Sequence, residues 1–137
     1  MIIDSSAVMA VIGKEPGHER IVHELAASPG TWIGAPTQLE TGMVLTARLG
    51  PRGKTVLARF LQENGIQTVA FDEEHAAVAL DAYSRFGQGR RPAGLNFGDC
   101  CTYATASIAG EQLLCVGDDF RQTDLSLVIL KDGDDPS

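Results

Sequence analysis

No apolar run in these 137 residues approaches the length of a membrane span. Cysteine is scarce and odd in number. Cys100, Cys101 and Cys115 show no CxxC spacing, and adjacent cysteines rarely bond each other, so the expectation is buried free thiols rather than a disulfide framework. The three histidines, His18, His23 and His75, stand far from any second ligand type and are expected on helix surfaces. Positive charge is short as well: eleven Lys and Arg face eighteen Asp and Glu. A net charge of −7 argues against nonspecific nucleic-acid binding over a broad basic surface. Internal repeats and low-complexity runs are missing too.

What remains is a chain of ordinary single-domain size, 44% hydrophobic, able to bury one core without disulfides or a structural metal. It runs from Met1 straight into Ile2-Ile3-Asp4, and the cytoplasm is the default compartment. Its acidic excess is local. Asp132, Asp134 and Asp135 crowd a Gly- and Pro-containing tail, 131–137, expected to be disordered, which leaves 1–130 as the folded domain. Asp4, Glu40, Asp99 and Asp118 each fall where an apolar strand ends or a helix begins; with the three tail aspartates they equal the whole imbalance.

Carboxylates at element boundaries can converge at one end of a parallel sheet, where α/β proteins build their sites. Brought within a few ångström of one another they cannot all stay charged unless a cation neutralises them. Oxygen-only ligation suits Mg²⁺ or Mn²⁺, which leave coordination positions for a phosphate, and this points to phosphodiester chemistry. Arg85, Arg90 and Arg91 cluster in the Gly-rich stretch 85–94, a small basic loop suited to holding an RNA backbone beside such a site.

Periodicity and punctuation predict the elements. Ile2-Ile3 reads as a buried strand and Asp4-Ser5-Ser6 as the cap of a helix beginning near residue 7. Helices are predicted over 18–27, from Pro36 to Gly50 with Glu40 in its early turns, over 51–64, and from Asp72 to about 86. Asn96 caps a helix over about 97–109 with Asp99 in its first turn, where the dipole favours a carboxylate. Strands are predicted at 31–34, 68–71, 113–116 and 127–130. The alternation argues for a central parallel sheet of about five strands wrapped by helices, an α/β/α sandwich.

Together, Ile2-Ile-Asp4-Ser-Ser6, Leu39-Glu40, Leu95-Asn-Phe-Gly-Asp99-Cys100 and Leu113-Leu-Cys-Val-Gly-Asp118-Asp-Phe120 with Thr123-Asp124 resemble the PIN domain, and more closely the VapC toxins of type II toxin-antitoxin systems. The resemblance covers about residues 1–130. It implies a Mg²⁺- or Mn²⁺-dependent endoribonuclease, commonly a homodimer, neutralised by a cognate VapB-type antitoxin. The family's acidic positions carry over onto Asp4, Glu40 and Asp99. The fourth falls on Asp118, or on Asp119, because relatives place Thr-x-Asp where this chain has Val116-Gly117 before paired aspartates. Ser6 matches a family hydroxyl and Asn96 a family asparagine, each either touching substrate or simply capping a helix.

On this reading Asp4 and Asp99 hold the metal, while Glu40 and Asp118 orient water or support a second ion. Such an ion polarises a phosphate and lowers the pKa of water. Cleavage would leave a 5′-phosphate and a 3′-hydroxyl, and no His/Lys pair suited to the metal-independent route stands out. An aspartyl-phosphate phosphatase or receiver domain is the first alternative. It is disfavoured because Ser6 stands where a phosphatase carries its second Asp, and Lys131 is poorly placed for a receiver. The second alternative is a PIN-like scaffold that binds without catalysing.

Overall fold

Strand β1 (Ile2–Ile3) takes the centre of a parallel sheet because both of its faces are apolar. Successive side chains in a strand point to opposite faces, so Ile2 enters one hydrophobic core and Ile3 the other. The computed structural model describes residues 1–87, 89 and 94–130. After β1 come α1 (Ser5–Ile12), α2 (His18–Ala27), β2 (Trp32–Gly34), α3 (Ala35–Leu49), α4 (Arg52–Glu63) and β3 (Gln67–Val69). The chain continues through α5 (Glu73–Phe86), α6 (Phe97–Ala109) and β4 (Leu113–Leu114).

The sheet order is β3-β2-β1-β4, every pair parallel. Helices α1 to α4 cover the Ile3, Ile33 and Leu114 face; α5 and α6 cover the Ile2 and Leu113 face. Close approach of α6 depends on Gly34, where a Cβ would lie 2.6 Å from the Thr105 hydroxyl. Because β2 and β4 flank β1 on opposite sides, the chain order reverses at β1, and the crevice beside its C-terminal end is the place where α/β sheets open a site.

The α/β/α layering expected from the sequence is present, with four strands rather than about five among the described residues. The expected last strand is reduced to one parallel bridge, Leu113 to Leu127. Its neighbour β4 is only two residues long before the chain turns off at Gly117, so there is little edge left to pair with. Leu127 still packs toward α5 and α6 while Val128 and Leu130 pack toward the other core.

His75 corrects a second expectation. It is buried, 7% exposed, instead of lying on a helix surface. Asp72 caps α5 by accepting from the His75 backbone N–H at 3.1 Å, and the same carboxylate lies 2.8 Å from His75 Nδ1, which draws the ring under the helix start against Phe71. All three cysteines are buried free thiols, as expected. No helix among the described residues is long and apolar enough to cross a membrane. The acidic tail 131–137 lies outside the described residues.

Candidate active site

Asp4 stands directly after β1, its backbone N–H donating to Leu114 O at 2.9 Å, so the sheet itself delivers this carboxylate to the crevice. It is 5% exposed and bonded on both oxygens. Thr102 Oγ1 donates to one oxygen at 3.0 Å; the Ser6 backbone N–H and hydroxyl donate to the other at 3.1 and 2.6 Å. Asp4 is therefore the N-cap of α1, and Ser6 lies within the helix as a bridge, its hydroxyl also accepting from Val116 N–H at 3.0 Å. Behind the site Thr37 and Thr102 share a 2.9 Å hydrogen bond and Thr41 donates to Thr37 O, a buried polar seam tying α3 to α6.

Asp99 sits in the first turn of α6 in a reciprocal capping box. Asn96 Oδ1 accepts from the Asp99 backbone N–H at 2.8 Å, and Asp99 Oδ2 accepts from Asn96 N–H at 3.1 Å. Asn96 thus acts as a helix cap. Burial is the main reason the Asp99 carboxyl is pushed up to about 6, and the charges of Asp119, Asp4 and Glu40 push the same way against the opposing hydrogen bond from Asn96. Cys115 beneath is pushed up to about 12 by burial and then by Asp4, Asp119 and Asp99. The Cys101 thiol is raised by burial and by Glu40. The charges of Asp119, Asp4 and Glu40 thus all act on the Asp99 carboxyl.

Glu40 reaches the Asp99 turn from α3 across Gly98, where any Cβ would strike the Glu40 carboxylate. Gly98→Ala is therefore expected to dissociate stability from activity. Alanine favours the helix by up to about 1 kcal/mol, while displacement of Glu40 lowers turnover by about 10- to 100-fold. Thermal melts and RNA-cleavage rates on the same preparation test this, and a fully active Gly98→Ala protein would show that the contact with Gly98 is not what sets Glu40 in place.

Asp118 has a different partner. It is exposed and paired with Arg121 Nε at 3.3 Å. Arg85, expected on an RNA backbone, is bonded to Asp124 at 3.2 Å and to Asp81 at 3.5 Å, and stacks over Phe86. Arg90 and Arg91 lie outside the described residues. Sequence reasoning missed Thr102 and Gly98. Their positions three residues after Asp99 and one before it, on a helix already assigned to the site, were the available signal.

Among the described residues no three His, Cys, Asp or Glu side chains are near enough to grip one ion together. The donors at hand are carboxylate oxygens, the type that Mg²⁺ takes one or two at a time while keeping its waters. Residues 1–125 match the PIN domain family. The chain belongs to that family. Its relatives among PIN proteins include Ribonuclease VapC36 of Mycobacterium tuberculosis, 46% identical over 126 residues and 91% of each chain. In fold, this PIN chain is similar to M. tuberculosis VapC20, described as a sarcin-ricin loop cleaving toxin (TM-score 0.75, 18% identity, 93% of this chain and 97% of that one). It is also similar to VapBC2 of Rickettsia felis, solved bound to a DNA fragment from the promoter (TM-score 0.75, 14% identity, 93% and 96% covered).

Proposed function

We propose that this chain is an endoribonuclease toxin of the VapC type, dependent on Mg²⁺ with Mn²⁺ able to replace it. The observation that carries this reading is that Asp4, bonded to Thr102, and Glu40, against Gly98, both meet the turn of α6 that carries Asp99, whose carboxyl is pushed up to about 6 first by burial and then by the charges of Asp119, Asp4 and Glu40. Asp4 and Asp99 are the proposed ligands. A divalent ion there would supply charge neutralisation, polarise a phosphate oxygen and make water a usable nucleophile near neutral pH.

The chain's own contribution is positioning. Thr102 and Ser6 hold both Asp4 oxygens in place, and the Asn96 cap fixes the Asp99 carboxylate. Glu40 and Asp119, both exposed at the rim, orient water for in-line attack on the phosphate, leaving a 5′-phosphate and a 3′-hydroxyl. RNA contact by Arg90 and Arg91 rests on the sequence alone.

A VapB-type antitoxin is the proposed inhibitor. Leu39 and Met43, 65% and 64% exposed, flank Glu40 on α3 and line an apolar groove of about 720 Å³ with Leu57 and Ala47. An amphipathic segment laid there would bring an Arg or Lys onto the carboxylates and replace the metal's charge. A second copy of the chain is proposed for the separate apolar face of Leu80, Tyr83 and Phe97. The cytoplasm is the proposed compartment, consistent with three free thiols.

The test is cleavage by purified protein with Mn²⁺ and with EDTA, followed by mapping of the RNA ends. We expect 5′-phosphate ends, no cleavage in EDTA, and a gain of about 2.7 kcal/mol in stability at a hundredfold excess of Mn²⁺ over its dissociation constant. Cleavage persisting in EDTA with 2′,3′-cyclic phosphate ends would overturn the reading.

A further inference from the structure

The segment after β4 carries Asp119 with no helix or strand to hold it, and it is strung between Ser6, which holds Asp4, and Tyr103, on the helix that carries Asp99. Bonds at its two ends hold it instead. At the near end Val116 N–H donates to Ser6 Oγ. At the far end the Asp124 carboxylate accepts from the Tyr103 hydroxyl at 2.5 Å and from Arg85 at 3.2 Å, and Arg85 also reaches the Tyr103 oxygen at 3.4 Å. Between them Phe120 is buried, Thr123 Oγ1 donates to Phe120 O at 2.7 Å, and Leu125 N–H donates to Thr123 Oγ1 at 3.3 Å.

Tyr103 lies one turn beyond Asp99 on α6, so the two share a helix face. The same helix thus carries one carboxylate of the cluster and anchors the segment that presents another. Hydrogen bonds to a charged carboxylate are about twice as strong as neutral ones, which suits this contact to hold an otherwise exposed turn. Arg85 is held between Asp124 and Asp81 by the same contact.

We propose that Tyr103, Asp124 and Arg85 form a clasp that sets the position of Asp119 against Asp99, making them positioning residues for the cation and, through it, for catalysis. The inference rests on the acidic cluster being the cation site. Tyr103→Phe removes the hydroxyl and keeps the ring packed. Mn²⁺ affinity, read by electron paramagnetic resonance and by thermal shift without RNA, is compared among wild type, Tyr103→Phe, Asp119→Asn, the double variant and Asp99→Asn.

The expected result is a loss of about 3- to 10-fold in Mn²⁺ affinity for Tyr103→Phe that disappears in the Asp119→Asn background, because both changes act through one carboxylate. Wild-type affinity in Tyr103→Phe, or an equal further loss in the double variant, overturns the clasp while leaving the cluster in place. Should Asp99→Asn itself leave Mn²⁺ affinity unchanged, the cluster is not the cation site and both readings fall. If Tyr103→Phe does not fold, Asp124→Asn carries the same comparison.

Discussion

Replacing Asp99 with Asn is expected to slow RNA cleavage by about 100- to 1,000-fold while raising the melting temperature of the metal-free protein at neutral pH. Asparagine keeps an oxygen to accept the Asn96 N–H, so the capping box survives, and it removes one of four crowded charges. The pH dependence carries a definite sign. Asp99 titrates near 6 in the folded protein against 3.8 for an ordinary aspartate, so between those values the folded state holds the extra proton. Its contribution to stability is full below about 4 and is lost as pH rises through 6. Metal-free wild type should gain melting temperature from pH 7.5 to pH 5 relative to Asp99→Asn. An identical pH profile for the two proteins, or wild-type cleavage by highly purified Asp99→Asn, would sink the site.

Asp119→Asn is expected to lower metal affinity and cleavage by about 10- to 100-fold, as loss of a group supporting a metal's direct ligands does. Asp118→Asn should stay within about twofold, the range of an exposed substitution. The two aspartates are adjacent in sequence and both exposed, and they differ in their partners: the Asp119 charge raises Asp99 and Cys115, whereas Asp118 pairs with Arg121. Measuring both variants over a Mn²⁺ titration decides the register. A larger defect in Asp118→Asn than in Asp119→Asn would reverse the assignment of the fourth carboxylate.

The order of elements, the parallel α/β/α layering and the places of Asp4 and Asp99 at element ends were legible in the sequence. Strand ends, caps and helix periodicity are local properties: Asp4 after two buried isoleucines and Asp99 three residues after a capping Asn identify themselves from their neighbours. What each of two adjacent aspartates meets is not local. It depends on how the segment after β4 is pinned, at Ser6 on α1 and at Asp124 by Tyr103 and Arg85, residues separated from their partners in it by between 21 and 110 positions. For the same reason Arg85 reads as a free basic residue in sequence but is bonded to Asp124 in the fold. Composition and periodicity report which groups a helix or strand end will present, because those depend on residues one to four apart. The partners that orient such groups come from distant segments, and only the packed chain brings Thr102 onto Asp4 and Gly98 beneath Glu40.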